Sequence, residues 1–161
     1  MQSKAKFLGH SIHQMLVVFP LGLLATSLAF DIAYFSTGDG DLAMVSFWMI
    51  SAGIIGAIAA AIFGFVDFLA IPPGTRAKSL GIWHGFGNLI VTVLFIMSWF
   101  MRQAQAMNPS AGAFALSVIA VLLAVITGWL GGELVDRLGV GVDEGANLNA
   151  PSSLSGRPAQ G

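Results

Sequence analysis

AMVSFWMISAGIIGAIAAAIFGFVDFLAI, residues 43–71, contains a single ionisable side chain, Asp67, in a run of apolar and small residues. About 20 consecutive apolar residues suffice to carry a helix across the hydrocarbon core of a bilayer, so this run reads as a spanning helix with length to spare. Three more runs of the same kind follow from Ile12 to Phe35, Leu80 to Met101 and Ala111 to Leu134. Four spans use nearly all of residues 1–138 and leave no room for a second domain. The composition agrees: 56% of the 161 residues are hydrophobic and 9% charged, against roughly 25% charged in a soluble domain. The expected fold is all-α, an integral membrane four-helix bundle.

The breaks between the spans are turn-forming. Ser36 to Asp41 is a Gly/Asp-rich acidic loop, Pro72 to Lys78 a basic one, and Asn108-Pro109-Ser110 leads into the last helix. Connections this short make neighbouring helices antiparallel, an up-down-up-down bundle. From Gly139 to Gly161 the chain is rich in Gly, Ser, Pro, Asn and Ala without hydrophobic periodicity, which predicts a flexible tail. No internal repeat stands out. The first apolar run follows Lys4 and Lys6 but is longer than a signal-peptide core and lacks a cleavage site, so it is expected to remain in the mature protein. With no cysteine, disulfides, thiolate-bound metals and iron–sulfur clusters are excluded. A net charge of -1 without a basic cluster argues against nucleic acid.

Lys4, Lys6, Arg76, Lys78, Arg137 and Arg157 fall on the side holding both termini, and Arg102 falls on the other. The positive-inside bias then places both termini in the cytoplasm. Tyr34, Trp48 and Trp99 lie near the opposite interface, where amphipathic rings anchor helices, and Trp83 and Trp129 lie toward the cytoplasmic side. Asp31, at the far end of the first span, reads as an interfacial residue beside Tyr34.

Five ionisable residues are set into or against the spans at the cytoplasmic side. His10 and His13 open the first helix, three residues apart and so on one face. Asp67 lies about one turn before the end of the second, His84 about one turn into the third, and Glu133 in the last turn of the fourth. Asn88 sits one turn beyond His84, suited to bonding a ligand or a backbone group. Pro20 predicts a kink just above the histidine pair. Gly53, Gly56, Gly64, Gly81, Gly85, Gly128, Gly131 and Gly132 line the same helices, as close helix contacts or as room for a flat macrocycle.

Gly9-His10-Ser11-Ile12-His13-Gln14-Met15-Leu16-Val17-Val18-Phe19-Pro20 resembles the opening H-P-x-H-P-x-L-V-x-F-P pattern of a bacterial four-helix membrane family, domain of unknown function 2231 (DUF2231). The resemblance continues through Gly64-Phe65-Val66-Asp67 ahead of Pro72, His84-Gly85-Phe86-Gly87-Asn88, and Gly131 to Val135 followed by Gly139-Val140-Gly141-Val142. Ser11 and Gln14 depart from it, standing where the family has proline. It implies a four-helix fold in a bacterial inner membrane with marked polar positions, and no settled reaction. Related segments occur beside c-type cytochrome domains, which implies a redox setting.

Two cofactor readings follow from the five residues. Haem b would take axial imidazoles from His84 and His13 or His10, glycines beside the ring, phenylalanine walls (Phe19, Phe65, Phe68, Phe86), and Arg76, Lys78 or Lys6 near the propionates. A divalent metal (zinc, copper or iron) would take His10, His13 and His84 with Asp67 or Glu133. Both favour electron transfer or sensing over bond-making catalysis, with a redox protein or membrane complex as partner. The competing class is a cofactor-free accessory subunit. There Asp67 pairs with His84 or Arg76, and Glu133 with Arg137 or His10, as a packing network. A small proton or metal-ion transporter is a third reading, and the glycine-rich second helix would also suit a homodimer.

Overall fold

The computed structural model describes residues 1–158. Its helices are α1 (Ile12–Leu16), α2 (Val18–Thr37), α3 (Gly40–Ala70), α4 (Arg76–Arg102) and α5 (Ala111–Gly132), the last running into a π-helical turn, Glu133–Arg137. The first two act as one span broken at Val17, three residues before Pro20, where the sequence predicts a kink. All four spans are long and apolar enough to cross a membrane.

Side chains set each boundary. Gly38 closes α2 in a left-handed conformation (φ 75°), donating its N–H to the Tyr34 carbonyl. The Asp39 carboxylate caps α3 by accepting from Asp41 N, Thr75 caps α4 by accepting from Lys78 N, and Ser110 caps α5 by accepting from Ala113 N. These are the turn residues of the three loops read from the sequence.

Burial runs opposite to that of a soluble bundle. Ile55 and Val125 are 70% and 68% exposed, while Ser27, Ser46, Ser98 and Ser117 are fully buried. The outward apolar surface is what lipid solvates, and small polar residues let the helices approach closely inside. Leu24, Ile50, Val91, Phe95 and Ala120 form the apolar centre. The α2/α3 and α4/α5 contacts are the most extensive, so the bundle is two tight helical hairpins meeting along a sparser seam.

Ahead of α1 the structure departs from expectation. His10 does not open the first helix: Lys6–Phe7 and His10–Ser11 form a two-stranded antiparallel hairpin, β1 and β2, with Phe7 opposite His10. Its turn residues, Leu8 (φ 49°) and Gly9 (φ 87°), both have positive φ, as tight two-residue hairpin loops require. Beyond the π-helical turn the chain is irregular apart from a short turn of 3-10 helix, Ser153–Ser155. Part of it rests on the N-terminal hairpin: Lys6 pairs with Asp143, Gly141 N donates to the Met1 carbonyl, and Ser153 Oγ donates to the Leu8 carbonyl. Residues 159–161 of the expected flexible tail lie outside the described residues.

Candidate functional site

His13 and His84 are held by the same joint, built twice. His13 Nδ1 lies 2.8 Å from the Ala60 carbonyl of α3, and His84 Nδ1 lies 2.9 Å from the Thr127 carbonyl of α5. A carbonyl oxygen only accepts, so in each ring Nδ1 carries the proton and Nε2 is left with its lone pair. One turn beyond each carbonyl stands a glycine against the imidazole edge. A Cβ on Gly64 would lie 2.8 Å from His13 Cε1, and one on Gly131 would lie 3.0 Å from His84 Cε1. Each glycine therefore opens the helix surface to let an imidazole reach the carbonyl four residues back.

Each histidine is tied to the second helix of its own hairpin, and the two rings meet across the seam. Their centres are 6.4 Å apart with planes at 89°. Asn88 supports this arrangement as expected: Nδ2 donates to the His84 carbonyl and Oδ1 accepts from Thr127 Oγ1.

The other three residues do not join them. His10, on its strand, is exposed and has Nδ1 against the Leu8 carbonyl. Asp67 pairs with neither His84 nor Arg76. Its carboxylate accepts from Ser3 Oγ, Lys4 N and Ala5 N, at 2.6 Å for the shortest, so the N-terminal segment supplies the donors that a buried carboxylate requires. Glu133 pairs with Arg76, not with Arg137 or His10, because the π-helical turn carries it beside the start of α4. Among the described residues no group of three or more His, Cys, Asp or Glu side chains is placed to hold a metal ion. The expected five-residue convergence is thus a single histidine pair with two carboxylates engaged elsewhere.

The glycines expected to make room for a macrocycle mostly serve packing. Besides the two under the imidazoles, Gly53 receives Leu24, Gly56 receives Pro20 and Gly81 receives Phe68, whereas Gly85, Gly128 and Gly132 face open space.

At the far end the sequence reading missed the strongest polar contact. Asp31 is not interfacial: it and Arg102 are both fully buried and joined by two parallel bonds of 2.7 Å. Arg102 Nε and Nη2 also donate to Ser98 and Ser117. The pair spans α2 and α4, so it pins the seam at the end opposite the histidines. The one signal available was that Asp31 and Arg102 are the ionisable residues at equal depth in antiparallel-flanked spans. Trp99 turns inward to Ser51, while Tyr34 stays at the surface and donates to Asn108 Oδ1 of the loop before α5.

Four apolar spans with a polar seam define a polytopic membrane protein. The family described as predicted membrane protein (DUF2231) matches residues 9–144, and the chain belongs to it. No curated protein and no solved structure matches the chain.

Proposed function

We propose that this protein is a small membrane electron carrier or redox sensor whose centre is haem b, held between the two hairpins by Nε2 of His13 and Nε2 of His84. The observation that carries the reading is the pair of fixed tautomers facing each other across the seam. Metal-binding histidines characteristically donate their other nitrogen to a carbonyl or carboxylate, and both rings have that bond in place.

The ligand count supports haem rather than a bare ion. A structural zinc site needs four protein ligands, and here two imidazoles stand without a third neighbour among the described residues. Haem supplies most of its iron's ligands itself, so His13 and His84, whose ring centres lie 6.4 Å apart across the seam, would suffice to hold it. When bound, haem iron supplies one-electron chemistry. The chain orients both imidazoles through their Nδ1 bonds; of the expected phenylalanine walls, Phe19, Phe65 and Phe86 are exposed on the outer surface. Arg76, Lys78 and Lys6, the expected propionate partners, are engaged with Glu133, Phe68 and Asp143, so binding exchanges those contacts for propionate contacts.

The bias in Lys and Arg supports a bacterial inner-membrane orientation with both termini in the cytoplasm. It strengthens once Arg102 is removed from the opposite surface, being buried and paired.

A second reading has its own support, since each imidazole already fills a glycine notch and bonds a carbonyl on the neighbouring helix. In that reading the histidines set helix register and no cofactor binds. Haem titration into detergent-purified, cofactor-free protein separates the two. Saturation at one equivalent with low-spin bands, lost in His13→Ala and in His84→Ala but kept in His10→Ala, supports the haem site. Absence of saturable binding, or binding that survives His84→Ala, leaves the register reading.

A further inference from the structure

We infer that the bundle is two copies of one helical hairpin related by a pseudo-two-fold axis along the membrane normal, and that His13 and His84 are equivalent residues on that axis, forming one site for a ligand with two like faces. The ligand half rests on the haem reading; the repeat does not.

Adding 71 to the buried positions of α2 (Pro20, Leu24, Ser27, Asp31) gives Val91, Phe95, Ser98 and Arg102, all of them buried positions of α4. Adding 67 to Ser46, Ile50, Gly53, Ala60 and Asp67 of α3 gives Ala113, Ser117, Ala120, Thr127 and Leu134, which are all the buried positions of α5 and its π-helical turn. The same two offsets carry the His13–Ala60 bond onto the His84–Thr127 bond, and Gly64 onto Gly131. Helix directions agree too, because an up-down hairpin repeated once in the same sense gives parallel repeats about an axis along the membrane normal.

A residue that touches its own counterpart lies on the axis. Two pairs do so: His13 with His84 at one end, and Asp31 with Arg102 at the other. The histidines have kept one identity, as a site met equally from both faces requires. The far pair has become complementary, which resolves what two like charges at one point would make repulsive. The offset falls from 71 to 67 because the path from Asp31 to Ser46 is about one helical turn longer than that from Arg102 to Ala113: α2 and α3 both run on past these positions, whereas α4 ends at Arg102.

Exchange of equivalent residues in the full chain tests the repeat. Arg102 bonds Ser98 and Ser117, whose counterparts are Ser27 and Ile50, so the matched exchange is D31R/R102D/I50S/S117I. It is expected to recover the monodisperse folded protein that D31R and R102D alone lose. The L24F/F95L exchange, at equivalent core positions, is expected to be milder than L24F or F95L alone. Exchanges that merely sum their single changes in both cases would overturn the repeat, and these readouts do not depend on haem. For the shared site, His13→Ala and His84→Ala should weaken haem binding by the same factor. Loss in one variant with full binding in the other would overturn equivalence on the axis while leaving the repeat intact.

Discussion

Gly64→Ala places a methyl group where the structure has none to spare. The added Cβ would lie 2.8 Å from His13 Cε1 and also 2.8 Å from Nδ1, the atom bonded to Ala60. The imidazole must then withdraw, which costs overpacking of about 1–3 kcal/mol and a net hydrogen bond worth roughly 1 kcal/mol. Alanine returns about 1 kcal/mol of helix propensity, so the net loss is about 1–3 kcal/mol. Gly131→Ala, with its Cβ 3.0 Å from His84 Cε1, should behave alike. Gly85→Ala and Gly128→Ala meet nothing within 4 Å, keep the propensity gain, and serve as controls. Unfolding in mixed detergent micelles, followed by fluorescence of the four tryptophans, reads the difference. Equal stability of Gly64→Ala and Gly85→Ala would refute the imidazole joint.

The buried far-end pair should be costly to break and cheap to replace. Arg102→Met or Asp31→Leu alone is expected to cost about 3–5 kcal/mol, while the two together return close to wild type, measured by the same unfolding assay as a double-mutant cycle. Asp67→Asn should loosen the N-terminal segment, since a charged acceptor's hydrogen bonds are worth about 1.5–3 kcal/mol; faster amide exchange at Lys4, Ala5 and Ile12 checks this. Arg76→Ala should cost less than about 1 kcal/mol because the Arg76 side chain is 59% exposed, as thermal unfolding would show.

Much of the fold was legible because bilayer thickness sets helix length, and Gly38, Asp39, Thr75 and Ser110 mark the ends by turn and cap chemistry. That His13 and His84 lie together at one end of the bundle, with Asn88 one turn from His84, was also readable from helical spacing. The placement of Asp67 was not, because its partners are the Ser3 hydroxyl and the backbone N–H groups of Lys4 and Ala5, in a segment ahead of the first helix whose sequence does not mark it as folding back. His10 was misplaced because a positive-φ turn at Leu8 outcompetes helix, and leucine gives no sign of it. The repeat was hidden because few of its equivalent positions share identity as well as burial: Asp31 answers to Arg102, Pro20 to Val91, and the offset changes between the helices of each hairpin. The same concealment made Arg102 look like a loop charge.

The central claim, a haem iron between His13 and His84, is tested most directly by oxidised and dithionite-reduced absorbance spectra, with iron analysis, on protein purified in detergent from haem-replete cells. The account predicts a Soret band, sharp reduced α and β bands and near-stoichiometric iron in the wild type, all lost in His84→Ala. A colourless, iron-free, folded wild-type protein would contradict it.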